Sequence, residues 1–170
     1  MPEPEKRLED IVTLVNSAYV LQMAGQPKVD FSKECQIETL QADVDATMIS
    51  QALMNLLKNA GEAIETRLEK GVFPLLKGRI HVGVTYEDNT VQIRISDNGI
   101  GLPQDRSRLF EPYVTTRDKG TGLGLPIVKK IIEEHGGTLR LVDAEPFDMG
   151  AHFGACAIVE LPVVSVVFEG

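Results

Sequence analysis

The sequence predicts an α+β domain, on three observations. Ile80, Val82, Val84 and Tyr86 alternate with polar residues, Glu87 to Thr90 makes a turn, and Val91, Ile93 and Ile95 alternate back, which specifies an antiparallel hairpin. From Ala46 to about Leu68 the apolar set Ile49, Leu53, Leu56, Leu57, Ala60 and Ile64 recurs with the helical period. Directly after the hairpin, Asp97-Asn98-Gly99-Ile100-Gly101 and Gly120-Thr121-Gly122-Leu123-Gly124-Leu125 form two glycine-rich turns around a polar segment, and a second helical pattern follows. A helix that opens out of glycines leaves its first N–H groups unpaired, and its dipole favours negative charge there, so this stretch predicts a phosphate-bearing guest.

Taken in order, Met1 to Arg7 is a charged, proline-bearing lead expected to carry little structure. Leu8, Ile11, Val12, Val15, Ala18 and Tyr19 follow an i, i+3, i+4 pattern and predict a first helix that stops before Gly25-Gln26-Pro27. Val29, Phe31, Lys33 and Cys35 mark a strand, with a shorter extended piece from Ile37 to Gln41. Asp43 and Asp45 are candidate caps for the long helix, and Gly71 to Gly78 is a loop. Past the second glycine turn, Leu123, Ile127, Val128, Ile131 and Ile132 predict a helix that runs to His135 and stops at Gly136-Gly137. Strands are predicted at Thr138 to Val142 and Ala155 to Leu161, closed by Pro162. The tail, residues 163–170, is strongly strand-forming, with pairing to a sheet edge or a cut end as the two readings and no functional role assigned.

Composition narrows the function classes. At 170 residues and 43% hydrophobic content, residues 1–170 are read as one domain with a core of its own. A net charge of -8 argues against nucleic acid or an anionic membrane as the main partner, although local cations can still hold a phosphate. No apolar run approaches the roughly 20 residues of a membrane span, and the first residues are unlike a signal peptide, so the chain as given is expected to be soluble. Cys35 and Cys156 lie far apart without metal-ligand spacing and are read as small packing side chains, not a disulfide. There is no G-x-x-x-x-G-K-[ST], and the glycines at 120, 122 and 124 lack the spacing and preceding strand of the dinucleotide fingerprint. His81, His135 and His152 form no H-E-x-x-H or comparable set and are read as surface or packing residues.

Asn55 and Asn59, four residues apart, stack on one face of the long helix with Lys58 and Glu62 beside them. Asparagine competes with the helix backbone, so two on one stripe call for a cause. One reading is a solvated face. The other is a pair of amide oxygens facing a cavity, ligating a hard cation such as magnesium that is shared with substrate phosphates. Taken singly, Asp97 reads equally as a turn cap, Phe110 as a core aromatic, and Arg117 and Lys119 as solvated charges.

Taken together and in order, Asn55-x-x-x-Asn59-Ala60, Asp97-x-Gly99-x-Gly101, Phe110-x-Pro112 and Gly120-Thr121-Gly122-Leu123-Gly124-Leu125 resemble the N, G1, F and G2 boxes of the catalytic ATP-binding domain of bacterial sensor histidine kinases. The resemblance covers about Asp45 to Pro162. Phe110 to Arg117 and Glu134-His135-Gly136-Gly137 look most like the nitrogen-regulation branch, the NtrY type. It implies the Bergerat fold, a two-layer α+β sandwich with a mixed sheet, helices on one face and a flexible ATP lid. It also implies ATP and Mg2+ as cofactors. Asp97 would accept a hydrogen bond from the adenine amino group, Gly99 and Gly101 would let backbone approach the base, and Asn59 would hold magnesium. Asn55 would line the phosphate side with Lys58 nearby, these two being the candidate catalytic residues. The lid would run from Phe110 to Thr121, mobile without nucleotide, with Thr116, Arg117 and Lys119 as phosphate contacts. Gly120, Thr121 and the N–H groups of Gly122, Leu123, Gly124 and Leu125 would meet the phosphates. Ala155 departs from the pattern: relatives often carry threonine after the glycine at position 154, so a hydroxyl that supports the aspartate is missing.

The function implied is transfer of the γ-phosphoryl of Mg-ATP to a histidine on a separate dimerisation domain, and thence to a response regulator receiver domain. The alternatives are an ATPase clamp of the gyrase, Hsp90 or MutL kind, and a switch-type protein serine kinase or a nucleotide sensor. Position 55 discriminates, because the clamps carry a glutamate there to activate water and asparagine cannot act as that base. No histidine lies in a His-Glu/Asp-x-x-x-Pro context. The native protein is therefore expected to continue upstream into a dimerisation helix and a membrane-spanning sensor, with this chain in the cytoplasm and itself making no membrane contact.

Overall fold

Alternating burial in the hairpin sets the frame. β4 (Gly78–Glu87) and β5 (Thr90–Asp97) pair antiparallel with Ile80 opposite Asp97, Val82 opposite Ile95 and Val84 opposite Ile93. Asp88 and Asn89 turn between them at φ 51° and 59°, left-handed geometry that Asp and Asn tolerate. In this computed structural model residues 2–71, 77–107, 109–110, 124–147 and 152–170 are described. β2 (Val29–Cys35) joins β4 in parallel, and β7 (Ala155–Pro162) and β6 (Thr138–Asp143) extend the other side antiparallel, giving the order β2-β4-β5-β7-β6. This is the mixed sheet expected.

Three helices, α1 (Ile11–Gly25), α2 (Ala46–Lys70) and α3 (Gly124–Glu134), share one apolar cluster with that sheet. Ile49, Leu53, Leu56, Leu57, Ala60 and Ile64 of α2 are all buried in it, beside Ile80, Val82, Ile93 and Ile95. Buried apolar area is the dominant favourable term, so this face decides where α2 lies. Asp45 caps α2 by accepting from Met48 N at 3.1 Å, and Gly71, at φ 61°, ends it by donating to Arg67 O at 3.0 Å.

The first segment differs from expectation. Leu8 fits the helical period, yet Arg7–Asp10 is a strand, β1, and the helix begins at Ile11. The cause is Asp10, whose carboxylate accepts from Val12 N at 3.0 Å and from Thr13 Oγ1 at 2.9 Å, and also takes Leu40 N at 3.0 Å. The lead is not structureless at its end either: Arg7 pairs with Val44, and Glu5 N donates to Asp45 Oδ2 at 2.9 Å. That amide, then Met48 N, holds the Asp45 carboxyl below the usual carboxylate range. The extended piece after Cys35 runs on to Val44 as β3 (Ile37–Val44), because it is the central strand of a second sheet, β1-β3-β8. β8 (Ser165–Phe168) comes from the tail, which thus pairs with β3, and the Phe168 ring meets Tyr86 edge-on at 6.0 Å.

His135 ties α3 to the start of α2. Its Nδ1 donates to Ile131 O at 2.7 Å and its Nε2 accepts from Asp45 N at 3.0 Å, with the ring only 3% exposed. It is a packing residue, and the two bonds require the Nδ1–H tautomer. Cys35 and Cys156 are both free thiols, the second buried. No helix among the described residues is long and apolar enough to cross a membrane.

Candidate functional site

Asp97 closes β5, 4% exposed, where the sheet hands the chain to the first glycine turn. Its Oδ1 accepts from Gly99 N at 2.8 Å and from Ala155 N at 3.4 Å, so the carboxylate is anchored on one oxygen by backbone from two segments. Asn98, 7% exposed, continues the pairing with β4 through its side chain: Oδ1 accepts from Arg79 N at 2.8 Å and Nδ2 donates to Lys77 O at 2.9 Å. A buried polar chain end of this kind persists only when its groups are bonded.

The turn docks on α2. Ile100 N donates to Ala63 O at 2.9 Å, and Arg67 Nη1 donates to Asn98 O at 2.6 Å. Burial lowers the pKa of the Arg67 guanidinium from its ordinary value. Gly99 meets the helix backbone directly, since a Cβ there would lie 2.5 Å from Ala63 C and 2.7 Å from Ile64 N. Gly101 has φ 87°, and a Cβ there would sit 2.6 Å from Phe153 O. A Cβ on Gly154 would collide with the Asp97 carbonyl oxygen. Both sides of the turn are therefore backbone against backbone, and only glycine permits that approach.

Asn55, Asn59, Ala63 and Arg67 succeed one another at i+4 on α2. The stripe whose lower half docks the turn carries Asn59 about 6 Å and Asn55 about 12 Å further toward the helix N-terminus, at roughly 1.5 Å per residue. Both asparagines are half-buried and Lys58 is exposed. One helix stripe thus carries both asparagines and the residues on which the Asp97 turn docks.

Phe110 is partly buried against the main core, with Lys129 Nζ of α3 5.1 Å from its ring centroid. Upstream, Arg106 fastens the chain to the end of β6 by a 2.9 Å contact with Asp143. Gly124 and Leu125 open α3, Leu125 packing against the core. Thr116, Arg117, Lys119, Gly120, Thr121, Gly122 and Leu123 lie outside the described residues. Sequence reasoning did not find Ala63, Arg67, Asn98 or His152. The first two extend the i+4 stripe and were legible by counting, whereas His152, whose Nε2 lies 2.8 Å from Gly99 O, carries no local signal.

Residues 44–165 match the family described as histidine kinase-, DNA gyrase B-, and HSP90-like ATPase. The nitrogen regulation protein NtrY of Azorhizobium caulinodans is 47% identical over 147 residues, 85% of this chain and 18% of that protein. The signal transduction histidine-protein kinase AtoS of Escherichia coli is 34% identical over 136 residues, 79% of this chain and 20% of that protein. The chain spans about a fifth of the length of these curated relatives. Among solved structures, the nucleotide-free catalytic domain of histidine kinase ThkA superposes with a TM-score of 0.75 at 31% identity, covering 93% of this chain and 97% of that one. ThkA in complex with the response regulator protein TrrA superposes at 0.71 and 28% identity, over 95% of this chain and 42% of that one.

Proposed function

Since the chain belongs to the histidine kinase-, DNA gyrase B- and HSP90-like ATPase family, we propose that it acts as the catalytic domain of a two-component sensor kinase of the NtrY type, passing the γ-phosphoryl of Mg-ATP to a histidine on a separate dimerisation domain. The observation that carries this reading is the buried Asp97, held on a turn clamped to α2, with Asn59 and Asn55 on the same helix stripe.

The donor set fits the nucleotide and its metal. A carboxylate offers about four acceptor positions, more than the amides of Gly99 and Ala155 take up, so Asp97 is a group whose chemistry suits the adenine amino group. The glycines at 99 and 101 let the turn close on α2 and on Phe153 O, which supports a fixed placement of Asp97 for the base. Magnesium prefers oxygen ligands and is bound by few protein groups plus substrate phosphates, which suits the amide oxygen of Asn59 with Asn55 and Lys58 beside it. Thr116, Arg117 and Lys119 are proposed to contact phosphate from the lid, and the N–H groups at 122–125 to meet it from the start of α3.

Bound Mg-ATP supplies the transferable phosphoryl group and a metal that offsets its charge. The chain's residues hold the base, align the phosphates and add positive charge at Lys58, Arg117 and Lys119, which is positioning and electrostatic work. Asn55 leaves no carboxylate at the place where a clamp would activate water. The acceptor histidine comes from another domain, the onward acceptor is a response regulator receiver domain, and the chain works in the cytoplasm as part of a membrane-anchored kinase. The ThkA complex with a response regulator supports that partner, and the similarity to NtrY supports a role in nitrogen regulation.

Incubation with γ-labelled ATP tests the reading. The chain alone should release phosphate slowly and stay unlabelled, and label should appear on a histidine-bearing dimerisation domain supplied in trans. Rapid phosphate release by the chain alone, returned to background by Asn55→Ala, would instead identify an ATPase clamp.

A further inference from the structure

The segment that enters β7 presses on the glycine turn from the side opposite α2. Its last residues before the strand are His152, Phe153 and Gly154; Gly154 abuts the Asp97 carbonyl and Phe153 O abuts Gly101. His152 Nε2 lies 2.8 Å from Gly99 O. A carbonyl can only accept, so Nε2 carries the proton and the imidazole is the donor.

That bond completes a set of four on two successive peptide units. In the unit joining Asn98 to Gly99, the carbonyl accepts from Arg67 Nη1 and the amide donates to Asp97 Oδ1. In the unit joining Gly99 to Ile100, the amide donates to Ala63 O on α2 and the carbonyl accepts from His152. Gly99 has no side chain to fix these planes by packing, and its backbone is the most permissive of any residue, so their orientation rests on these bonds. A second tie from the β7 side is the Ala155 amide at 3.4 Å, long for a hydrogen bond, and alanine has no hydroxyl to add.

We infer that His152 is a positioning residue for adenine binding: by holding Gly99 O it sets the peptide plane whose neighbour orients the Asp97 carboxylate. This rests on the reading of Asp97 as the acceptor for the base. In this role His152 touches neither phosphate nor metal, so the expected effect of its loss through Gly99 O falls on the base end.

Calorimetric titration with ADP and with Mg-ATP separates the outcomes. His152→Ala should weaken both nucleotides by the same factor, about 3- to 10-fold, the worth of one neutral hydrogen bond. His152→Gln, which keeps an N–H at similar reach, should stay within about twofold of wild type, and adding His152→Ala to Asp97→Asn should cost less than about twofold more, because the two act through one group. Unchanged affinity in His152→Ala, an equal loss in His152→Gln, or full additivity with Asp97→Asn would overturn the inference while leaving the nucleotide site in place. A wild-type chain that binds neither nucleotide would overturn the reading beneath it as well.

Discussion

Asp97→Asn should lower ATP affinity by about 5- to 150-fold while leaving the fold intact, the equivalent of about 1–3 kcal/mol for a mismatched buried hydrogen bond. Asparagine keeps one carbonyl oxygen, which can still accept from Gly99 N and Ala155 N as Oδ1 does now at 2.8 and 3.4 Å. If Asp97 is the acceptor for the base as proposed, the amide N–H2 of asparagine meets the base's amino group donor against donor. The unfolding midpoint should therefore stay near that of wild type while the calorimetric titration flattens. Unchanged ATP affinity in this variant would remove Asp97 from the site.

Gly99→Ala should fail in a different way. Its methyl would sit 2.5 Å from Ala63 C and 2.7 Å from Ile64 N, and helix backbone cannot swing aside as a side-chain tip can. Overpacking of this kind costs about 1–3 kcal/mol, and a domain of this size loses roughly 2–4 °C of melting temperature per kcal/mol, so a fall of about 2 to 12 °C is expected. Gly83→Ala, where a Cβ would meet nothing within 4 Å, is the matched control and should melt close to wild type. Because the turn that docks on α2 is the one that carries Asp97, Gly99→Ala should lose ATP affinity as well as stability. A Gly99→Ala chain as stable as Gly83→Ala would mean that the turn does not rest on the helix backbone.

The parts of the fold that were legible in the sequence are those with a clean period and a local stop. The alternation from Ile80 to Ile95 marks both strands of the hairpin, and α2 shows its apolar stripe and, in Asp45, one of two cap candidates, running on to Lys70 where the period predicts an end near Leu68. β1 was hidden because Leu8 sits in phase with Ile11, Val12 and Val15. What stops the helix short is the Asp10 carboxylate bonding forward to Val12 and across to Leu40, and the second of these bonds is tertiary. The tail resisted for a similar reason, since a strand-forming run does not say which edge it will find, and β3 lies far upstream.

For the candidate site, Asn55, Asn59, Asp97, Gly99 and Gly101 stand out in the sequence through their spacing and type: amides inside a helix, a charge at a strand end, glycines in a turn. Ala63 and Arg67 continue the same i+4 stripe, but their residue types carry no mark, since alanine is ordinary in a helix and arginine is ordinary near its end. Their part follows from docking, with Arg67 buried and bonded to Asn98 O. His152 meets Gly99 across 53 residues, and no periodicity reports a contact of that range.

If Asp97 and Asn59 mark two ends of one Mg-ATP site, titration of the wild-type chain with ATP, in magnesium and again in EDTA, reads both ends. Saturable one-site binding is expected in both buffers, tighter with magnesium, with the magnesium increment lost in Asn59→Ala and the binding in EDTA retained by that variant. Absence of saturable ATP binding in either buffer, or a magnesium increment unchanged by Asn59→Ala, would contradict it.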